Sequence, residues 1–546
     1  MDLNASENNK YRELTLWIVI FFILLALPTK LVFFQKNDFS LGKEFSQKAS
    51  IRQSSIASKR GVIFDRNNNV LAEDIPSYEI GISLKDFSFD PIHINLISTN
   101  LDLDIDRLKK RLARKKTKYL VLNQKVAKQK KELIQSLEIP GIVISKRTFK
   151  RNYPQGEIFS QLIGLTNYKN EGVNGIEFAL DETLKAEDGY QEKILSRKSG
   201  VIQNKIIKEP INGSSVNLTV DSKMQFVLFD KLKKAVEFHN AESASGIMID
   251  LDSNEILAMT NFPSFDPNNR KKLNNMELLK NNSAIELFEP GSTVKPLALS
   301  ALLKNHPELI ESAVNTSPGW IEFEGYKTED ARNYGTLSTE EIISKSSNVG
   351  MVKLCADFDP SLILRTYYSL GLGKYMNEIF ISTREGYLPE YKNLSLREKV
   401  SLCYGYGLQT TLVQLTSAYS TIFSEGVYRP LKLIKNSSQF EEERILSKEN
   451  AKQIKKILYK AIKNGTGFRA KVNDHDVFGK TGTARIFKDQ KYNEDLHNAL
   501  FIGMTKIEDK EYLVGLFVKN PKINGDGGGD VAAPIFSEII ETIQKL

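Results

Sequence analysis

The first long apolar run in the chain is LTLWIVIFFILLALPTKLVFF, residues 14–34, which Pro28 and Lys30 interrupt near its end. A helix of this length crosses the hydrocarbon core of a bilayer. No small-x-small cleavage site follows before the polar segment QKNDFSLGKEF, so the pattern favours an uncleaved anchor over a cleaved signal peptide. Basic residues lie on both sides of the run, and their distribution therefore leaves the orientation of the anchor open.

Residues 35–221 show the short runs that are typical of β-structure. KRGVIFDRNNNVLAED predicts a strand, an Asn-rich turn and a second strand, and from 138 to 220 pieces such as IPGIVISKR and SSVNLTV alternate with turns. Between about 95 and 137 the pattern turns helical and basic, which favours solvated helices over a surface for an anionic or protein partner. We expect an elongated, β-rich domain here.

A different pattern begins at residue 222. In DSKMQFVLFDKLKKAVEFHNA apolar residues recur at helical spacing, and SGIMIDLDSNEILAMTNF predicts a hairpin around an Asp-Ser-Asn turn. Towards the end of the chain, DVFGKTGTA, HNALFIGMT and YLVGLFVK predict three strands, and APIFSEIIETIQKL predicts a closing helix. The mixture predicts an α/β (α+β) domain over residues 222–546.

Length and composition narrow the class of protein. A chain of 546 residues with 41% hydrophobic and 26% charged positions predicts two or three folded units. Its net charge of +8 suits an anionic or membrane surface and does not point to nucleic acid. Cys355 and Cys403 indicate no disulfide framework, although so few cysteines are compatible with an oxidising compartment, and the five scattered histidines indicate no metal or cofactor site. The chemistry must therefore run on Ser, Lys and carboxylates.

The stretch FEPGSTVKP, residues 288–296, carries the first candidate for that chemistry. Pro290 and Gly291 break the preceding structure and Pro296 fits the first turn of a helix, so we expect a helix to begin close to Ser292. The helix N-terminus favours a developing negative charge there, and Lys295 lies on the same face, where a neutral amine could take the Ser292 proton. An isolated Ser-x-x-Lys is more often an N-cap serine followed by a solvated lysine.

Two further motifs outweigh that alternative. SKSSNVG, residues 344–350, contains Ser346 and Asn348, and FGKTGTA, residues 478–484, follows it. The order Ser-x-x-Lys, Ser-x-Asn, Lys-Thr-Gly is the signature of penicillin-binding proteins and class A β-lactamases. In the second motif we expect the Ser346 hydroxyl to pass the proton to the leaving amine, and Asn348 to orient the substrate amide.

The third motif supplies charge and hydrogen bonds for the same acyl transfer. Lys480 keeps the site positive, lowers the pKa of Lys295 and attracts a carboxylate, for which Thr481 and Thr483 offer hydroxyls. Gly482 leaves room for substrate along the strand, and the backbone N–H groups of Ser292 and Thr483 are the expected oxyanion pair.

The chain resembles the class B penicillin-binding proteins, which are monofunctional peptidoglycan D,D-transpeptidases, and it is most similar to the division-specific branch. The resemblance implies a cytoplasmic tail (1–13), an inner-membrane anchor (14–34), a non-catalytic pedestal (35–221) and a periplasmic, extracytoplasmic transpeptidase domain (222–546). Beyond the three motifs, it rests on RGVIFDRNNNVLA, YLVLNQKVAKQKKELIQSLEIPGIVISKRTFKRNYPQG, GVNGIEFALDETL, EILAMTNFPSFDPN, YGYGLQTTLVQLTSAYSTIFSEG and GGDVAAPIFSEI.

The same resemblance implies the reaction and the partners. Ser292 would be acylated by a stem pentapeptide that ends in D-Ala-D-Ala, an amine of a neighbouring stem would attack the acyl-enzyme, and β-lactams would acylate Ser292 as donor mimics. No cofactor is implied. The chain shows no glycosyltransferase signature, so a polytopic glycan polymerase and other divisome membrane proteins are the expected partners.

Three alternatives stay open at this level. The elongation-specific class B transpeptidases share all three motifs, although FEPGST and GGDVAAPIFSEI favour the division branch. A serine β-lactamase or β-lactam sensor also shares them, but a class A hydrolase needs a deacylating Glu, for which Glu390 in YLPEYKN is the nearest candidate. The third alternative is a scaffold that holds divisome partners through the anchor and residues 59–220.

Overall fold

The computed structural model describes residues 4–48, 50–113, 118–196, 200–270, 273–379, 381–436, 441–488 and 491–546. The first three residues of the predicted tail and residues 114–117 of the predicted basic segment therefore lie outside the described residues. The chain divides into two compact units, one made of residues 1–58 and 186–212 and the other of residues 59–185 and 213–546. The predicted boundary at residue 221 does not coincide with this division.

The α-helices of the described residues are numbered in chain order. They are α1 (Asn4–Lys48), α2 (Pro91–Asn100), α3 (Ile105–Ala113), α4 (Lys128–Ser136), α5 (Ser160–Ile163), α6 (Gly175–Ala179), α7 (Asp181–Leu184), α8 (Ser222–His239), α9 (Asn282–Ile285), α10 (Lys295–Leu303), α11 (Thr339–Ser344), α12 (Asn348–Cys355), α13 (Pro360–Ser369), α14 (Leu396–Ser401), α15 (Leu412–Phe423), α16 (Lys448–Lys463) and α17 (Ala532–Ile543).

The strands are numbered in the same way. They are β1 (Ser50–Ile56), β2 (Ile63–Phe64), β3 (Val70–Ser83), β4 (Tyr119–Val126), β5 (Ile142–Asn152), β6 (Gly189–Ser196), β7 (Gly200–Lys208), β8 (Val216–Asn217), β9 (Ser243–Asp250), β10 (Glu255–Phe262), β11 (Ala313–Asn315), β12 (Trp320–Phe323), β13 (Tyr326–Glu329), β14 (Thr336–Ser338), β15 (Val427–Tyr428), β16 (Glu443–Arg444), β17 (Val477–Lys488), β18 (Lys491–Ile507) and β19 (Lys510–Lys519).

The first unit contains the predicted anchor and a small sheet. Residues Arg12–Phe33 of α1 are the one stretch of the described helices that is long and apolar enough to cross a membrane, with a mean hydropathy of 2.4. Helix α1 continues through Pro28 instead of ending there. Strands β1, β6 and β7 form a three-stranded antiparallel sheet in the order β1-β6-β7.

Within the second unit, residues 59–185 are built around the long strand β3. The predicted hairpin is confirmed, because β2 pairs antiparallel with β3 and Asn68 in the turn has a φ of +64°, which Asn tolerates. The helix expected over about 95–137 is wrong for Tyr119–Val126, which forms β4 and pairs with β3. The aromatic and β-branched residues of YLVLNQKV favour a strand, and burial of Leu122 and Val126 against the core fixes it there.

A buried ion network lies in the same part of the unit. The Glu177 carboxylate accepts hydrogen bonds of 2.7 Å from Nε of Arg60 and from Nε of Arg151, so one carboxylate joins two guanidinium groups. Arg60 also contacts Asp181 at 2.6 Å, and Arg151 contacts Asp74 at 3.4 Å. Both arginine side chains are 1% exposed.

The predicted α/β region is organised around a five-stranded antiparallel sheet in the order β10-β9-β19-β18-β17. Every residue of β9 is buried, because Ile247 and Ile249 face one hydrophobic cluster with α10 and α15 while Met248 faces another with α8 and α17. Helices on both faces explain why the strand is buried along its whole length instead of alternating between buried and exposed residues. Strand β17, which carries the third motif, is the last strand in the sheet order and therefore leaves one edge for a ligand.

Cys355 and Cys403 form a disulfide in the structure, contrary to the expectation from their spacing. The bond ties the last residue of α12, the helix that begins at Asn348, to the 3₁₀ turn Leu402–Tyr404. In the chain-entropy model, a disulfide that closes a loop of this size restricts the unfolded chain and thereby stabilises the folded state by about 4 kcal/mol. The sequence could not show that the two residues meet, because their contact depends on how α12 packs against this turn.

Candidate active site

Ser292 lies in the 3₁₀ turn Gly291–Val294, which leads directly into α10. The turn is fixed on two sides, because the Gly291 N–H donates to the Gly405 carbonyl (3.1 Å) and the Tyr419 hydroxyl donates to the Thr293 carbonyl (2.6 Å). Ser292 is half-buried whereas Thr293 and Val294 are fully buried. The serine side chain is thus the accessible group of a rigid turn.

Lys295 is the first residue of α10 and its side chain is fully buried. Its Nζ donates to the Ser346 carbonyl (2.6 Å), to Asn348 Oδ1 (2.7 Å) and to Ser346 Oγ (3.3 Å). Burial lowers the pKa of Lys295 well below its ordinary value; the nearby Lys480 charge lowers it further, and only the Asp330 carboxylate opposes the shift. The structure shows no hydrogen bond between Lys295 Nζ and Ser292 Oγ, although such bonds often form only once substrate is bound.

The second motif forms the turn between α11 and α12. Ser346 has a φ of +61°, a conformation that a non-glycine residue adopts only when its surroundings hold it there. In this turn the Ser346 hydroxyl lies 3.3 Å from Lys295 Nζ and 3.0 Å from Lys480 Nζ. The structure therefore brings Lys295, Ser346 and Lys480 into one hydrogen-bonded chain, with the serine hydroxyl between the two amines.

Asp330 holds this turn in place and was missed by the sequence analysis. It accepts hydrogen bonds from Ser347 Oγ (2.6 Å), from the backbone N–H of Asn348 (2.5 Å) and from the backbone N–H of Val349 (3.0 Å). These contacts provide hydrogen-bond acceptors for the N–H groups at the start of α12, which have no partner within the helix. No motif in TEDARNYG signals this role, because Asp330 reaches the turn only through the hairpin of β12 and β13.

Lys480 on β17 is fully buried, and its Nζ also donates to the Thr481 carbonyl at 3.0 Å. Burial lowers the pKa of Lys480 to about 7. Thr481 is buried and its hydroxyl contacts the Thr466 hydroxyl (2.6 Å). Thr483 is exposed and its Oγ1 accepts the Gly528 N–H (3.1 Å). Of the two predicted threonine hydroxyls, Thr483 is thus the more open to a ligand.

Two glycines allow β17 to approach the Ser292 turn. A Cβ on Gly482 would lie 2.7 Å from Thr293 Cγ2, so the space expected for substrate at this position is filled by the turn itself. Gly291, at a φ of +52°, would place a Cβ 3.0 Å from the Thr483 carbonyl oxygen. The close approach requires glycine on both sides and puts the backbone of Thr483 beside that of Ser292.

The arrangement suits nucleophilic acyl transfer. A half-buried serine hydroxyl lies on the turn that begins a helix, and one turn further is a buried amine whose pKa is strongly lowered. A second amine is joined to the first through Ser346 and attracts an anionic ligand while it is protonated. All eight predicted site residues therefore lie around the same edge of β17 and the same turn of α10.

Comparison with known proteins agrees with this geometry. Residues 244–541 match the penicillin-binding protein transpeptidase domain, and residues 55–218 match the penicillin-binding protein dimerisation domain. A peptidoglycan synthetase from Bifidobacterium adolescentis ATCC 15703 has a TM-score of 0.69 at 22% identity, over 91% of this chain and 96% of that one. The predicted fold class, a mixed α/β domain with a further β-rich domain, is confirmed.

Two relatives are similar to this chain over most of their length. Peptidoglycan D,D-transpeptidase FtsI of Buchnera aphidicola subsp. Schizaphis graminum (strain Sg) is 31% identical over 543 residues, which cover 98% of this chain and 95% of that protein. Peptidoglycan D,D-transpeptidase FtsI of Escherichia coli (strain K12) is 30% identical over 505 residues, covering 90% and 84%. This chain therefore belongs to the penicillin-binding protein family, and residues 244–541 form its transpeptidase domain.

Proposed function

We propose that the protein is a serine-type peptidoglycan D,D-transpeptidase that cross-links stem peptides during cell division and is inhibited by β-lactams. The observation that carries the proposal is the environment of Lys295. Its amine is buried beside a second lysine, is one turn from Ser292, and has no carboxylate of the described residues in hydrogen-bond contact. Burial and the neighbouring Lys480 charge both lower the pKa of this amine and so favour its uncharged form, which is the form that a general base for a serine hydroxyl requires.

In the first half of the reaction, Lys295 accepts the Ser292 proton as Oγ attacks the carbonyl of the penultimate D-Ala. The new C–Oγ bond replaces the C–N bond to the terminal D-Ala, and the leaving amine takes its proton through Ser346. The backbone N–H groups of Ser292 and Thr483 stabilise the oxyanion. Lys480 and Thr483 bind the terminal carboxylate, while Asn348 orients the donor amide and Thr481 and Gly482 shape the strand.

In the second half, an amine of a neighbouring stem attacks the acyl-enzyme. A C–N bond forms, the bond from the carbonyl to Ser292 Oγ breaks, and Oγ recovers its proton through Lys295 and Ser346. A β-lactam enters the first half in place of the donor and remains as a stable ester, because its ring-opened amine stays tethered beside the carbonyl.

The remaining parts of the chain are assigned accordingly. Residues 14–34 anchor the protein once in the inner membrane, with residues 1–13 in the cytoplasm and residues 222–546, the catalytic domain, in the periplasm. Residues 35–221 form a non-catalytic pedestal. The disulfide between Cys355 and Cys403 supports an oxidising location for the catalytic domain. A polytopic glycan polymerase and other divisome membrane proteins are the proposed partners, because residues 244–541 account for cross-linking alone.

The hydrolase alternative gains no support from the structure. Glu390, the sequence candidate for a deacylating carboxylate, is exposed and precedes a 3₁₀ turn, Tyr391–Asn393. None of the hydrogen bonds of the described residues ties its side chain to the Ser292 turn. We therefore expect slow release of a bound penicillin.

The test is labelling of the full-length protein in detergent with a fluorescent penicillin, followed by measurement of label loss over hours. Stable labelling that Ser292→Ala abolishes establishes the acyl-enzyme. Ser300→Ala is the matched control, because the Ser300 hydroxyl lies on the same helix and, within the described part of the chain, donates to the Leu297 carbonyl (2.7 Å) and to no group of the site. Rapid label loss would indicate a hydrolase, and a well-folded protein that takes no label would leave the scaffold alternative.

A further inference from the structure

A cavity of about 550 Å³ in the second unit has a strongly basic lining. Its walls come from β4 and the start of α4, from the end of β5, from the loop that follows α5 and from the segment that follows β10. Five cationic side chains of the described residues line it, which are Lys125, Lys130, Lys150, Arg151 and Arg270. None of the site residues described above lines this cavity, and no step assigned above uses it.

Only part of this positive charge is balanced by carboxylates. Asp102, the carboxylate among the described lining residues, forms an ion pair with Lys130. Lys150 is half-buried, and no ion pair or hydrogen bond joins its amine to another of the described residues. Arg270 donates to two backbone carbonyl groups and to no carboxylate of the described chain. Two cations therefore line the cavity without a neutralising partner in the part of the chain that the structure describes.

Lys125 shows the effect of this excess charge. Its Nζ donates to the Tyr168 carbonyl (2.7 Å), and it too has no carboxylate of the described residues in hydrogen-bond contact. Burial lowers the pKa of Lys125, and the charges of Arg270 and Lys150 lower it further. The Asp74 carboxylate opposes this shift without reversing it. The three cations therefore repel one another around the cavity, and an anion between them would relieve the repulsion.

Arg151 contributes a buried donor that lacks an acceptor. Its side chain is 1% exposed, and its Nε and Nη1 contact Glu177 and Asp74 in the ion network described above. Its Nη2 is buried and has no hydrogen-bond partner among the described residues. Buried N–H groups of proteins are almost always hydrogen-bonded, so an unpaired guanidinium group in the wall of a cavity indicates an acceptor that binds in that cavity.

From these contacts we propose that the cavity binds an oxyanion that carries several negative charges on phosphate or carboxylate groups. Its oxygen atoms accept hydrogen bonds from Nη2 of Arg151 and from the side chains of the three cations that lack a carboxylate partner, which are Lys125, Lys150 and Arg270. Phosphate and carboxylate groups suit such a lining, because hydrogen bonds between ionised groups are about twice as strong as neutral ones. A multiply charged anion suits it better than a single carboxylate, because several cations must be balanced at once.

Such a ligand connects segments that are far apart in the chain. Lys125 belongs to β4, Lys150 and Arg151 belong to β5, and Arg270 lies beyond the end of β10. Strands β4 and β5 pair with β3, whereas β10 belongs to the five-stranded sheet that also contains β17. The bound anion therefore ties the region around β3 to the catalytic part of the same unit, and it should stabilise that unit against unfolding.

The test is calorimetric titration of the full-length protein in detergent with inorganic pyrophosphate and, separately, with citrate. Pyrophosphate presents phosphate oxygens and citrate presents carboxylate oxygens, so the two titrations distinguish the two sources of anionic oxygen. Both are made at the same ionic strength, because salt screens the attraction of any anion to a basic surface. The midpoint of thermal unfolding, measured at increasing concentrations of each anion, checks that the anion binds the folded protein.

We expect saturable binding of at least one of the two anions, at one site per chain. Lys150→Gln and Arg270→Gln should each raise the Kd about tenfold, which corresponds to the loss of one charged hydrogen bond. Lys128→Gln is the matched control, because it removes the same charge from α4 although Lys128 does not line the cavity and its side chain is 75% exposed. Its Kd should equal that of the wild type.

Absence of saturable binding for both anions, or a Kd that Lys128→Gln raises as much as Lys150→Gln does, would overturn the proposal. If Arg270→Gln fails to fold, Lys150→Gln still decides, because the Lys150 amine has no partner among the described residues and its loss removes charge without removing a contact. Binding of pyrophosphate alone supports a phosphate ligand, and binding of citrate alone supports a carboxylate ligand. Both measurements report binding, so their outcome does not depend on the reaction proposed for Ser292.

Discussion

Two clusters of buried cations in the second unit differ in how their charge is balanced. Around Glu177, the guanidinium groups of Arg60 and Arg151 contact three carboxylates. Around Ser346, the amines of Lys295 and Lys480 contact carbonyl, amide and hydroxyl oxygens but no carboxylate among the described residues.

The balance of charge sets the direction of the pKa shifts. Burial alone would lower the pKa of Arg60, but Glu177 and Asp181 outweigh it and raise the pKa, so the charge is permanent. Burial lowers the pKa of Lys295 and of Lys480, and here no paired carboxylate restores it. One cluster therefore joins segments of the fold, whereas the other provides amines that give up their protons more readily than an ordinary lysine.

The most direct test of this contrast is to remove the amine of Lys295. Lys295→Gln keeps a hydrogen-bond donor near Ser346 but has no group that accepts a proton. We expect the rate of Ser292 acylation by fluorescent penicillin to fall by about 10³-fold, within the range of general-base catalysis. Lys304→Gln, at the exposed end of the same helix, should be unchanged. A loss of less than tenfold would show that another group takes the proton.

On the structural side, Glu177→Gln leaves Arg60 and Arg151 buried with one carboxylate fewer. Breaking a buried ion pair by removing one partner costs about 3–5 kcal/mol. We expect a clear fall in the midpoint of thermal unfolding. Glu182→Gln is the control, because Glu182 is 85% exposed and its contact with Lys185 is a surface ion pair. If both variants melted alike, the network around Glu177 would not stabilise the fold.

Asp330 is a carboxylate, like the groups around Arg60, but it acts on the cluster around Ser346. Its charge influences Lys295, and its hydrogen bonds hold the turn that carries Ser346. Asp330→Asn removes charge from the hydrogen bonds to Ser347, Asn348 and Val349, and acylation should slow about tenfold. The Asp330 carboxylate raises the pKa of Lys295, so its removal should lower that pKa further. The acid limb of the acylation rate should then move to lower pH.

The shift in pH dependence distinguishes an electrostatic effect on Lys295 from a purely structural effect on the turn. A loosened turn would reduce the acylation rate at every pH without moving the acid limb of the pH profile. Asp357→Asn, an exposed change beyond the other end of α12, should alter neither the rate nor the limb. An unmoved limb in Asp330→Asn would contradict the electrostatic contact.

The same comparison shows what the sequence could reveal. The hairpin at Asn68, the helices on both sides of β9 and the three motifs follow from local patterns, so they were predictable. Asp330, Thr466 and the disulfide depend on contacts between segments distant in the chain, and no local pattern encodes them. The expected role of Gly482 differed for the same reason, because only the fold shows that Thr293 fills the space beside it.

The smallest expected effect concerns Lys480. With a pKa lowered to about 7, its amine loses its charge as pH rises through that value, and with it the attraction for the carboxylate of penicillin. The apparent second-order rate constant of acylation should therefore fall severalfold between pH 6.5 and 8.5, because this constant reports the ionisation of the free enzyme. Lys480→Arg keeps its charge throughout this range. Its absolute rate will differ, since the larger group must fit beside Ser346, but the ratio of rates at the two pH values should approach one. A wild-type rate constant that stayed flat to pH 8.5 would mean that Lys480 keeps its charge despite complete burial without a carboxylate partner, and the contrast with Arg60 would then rest on Lys295 alone.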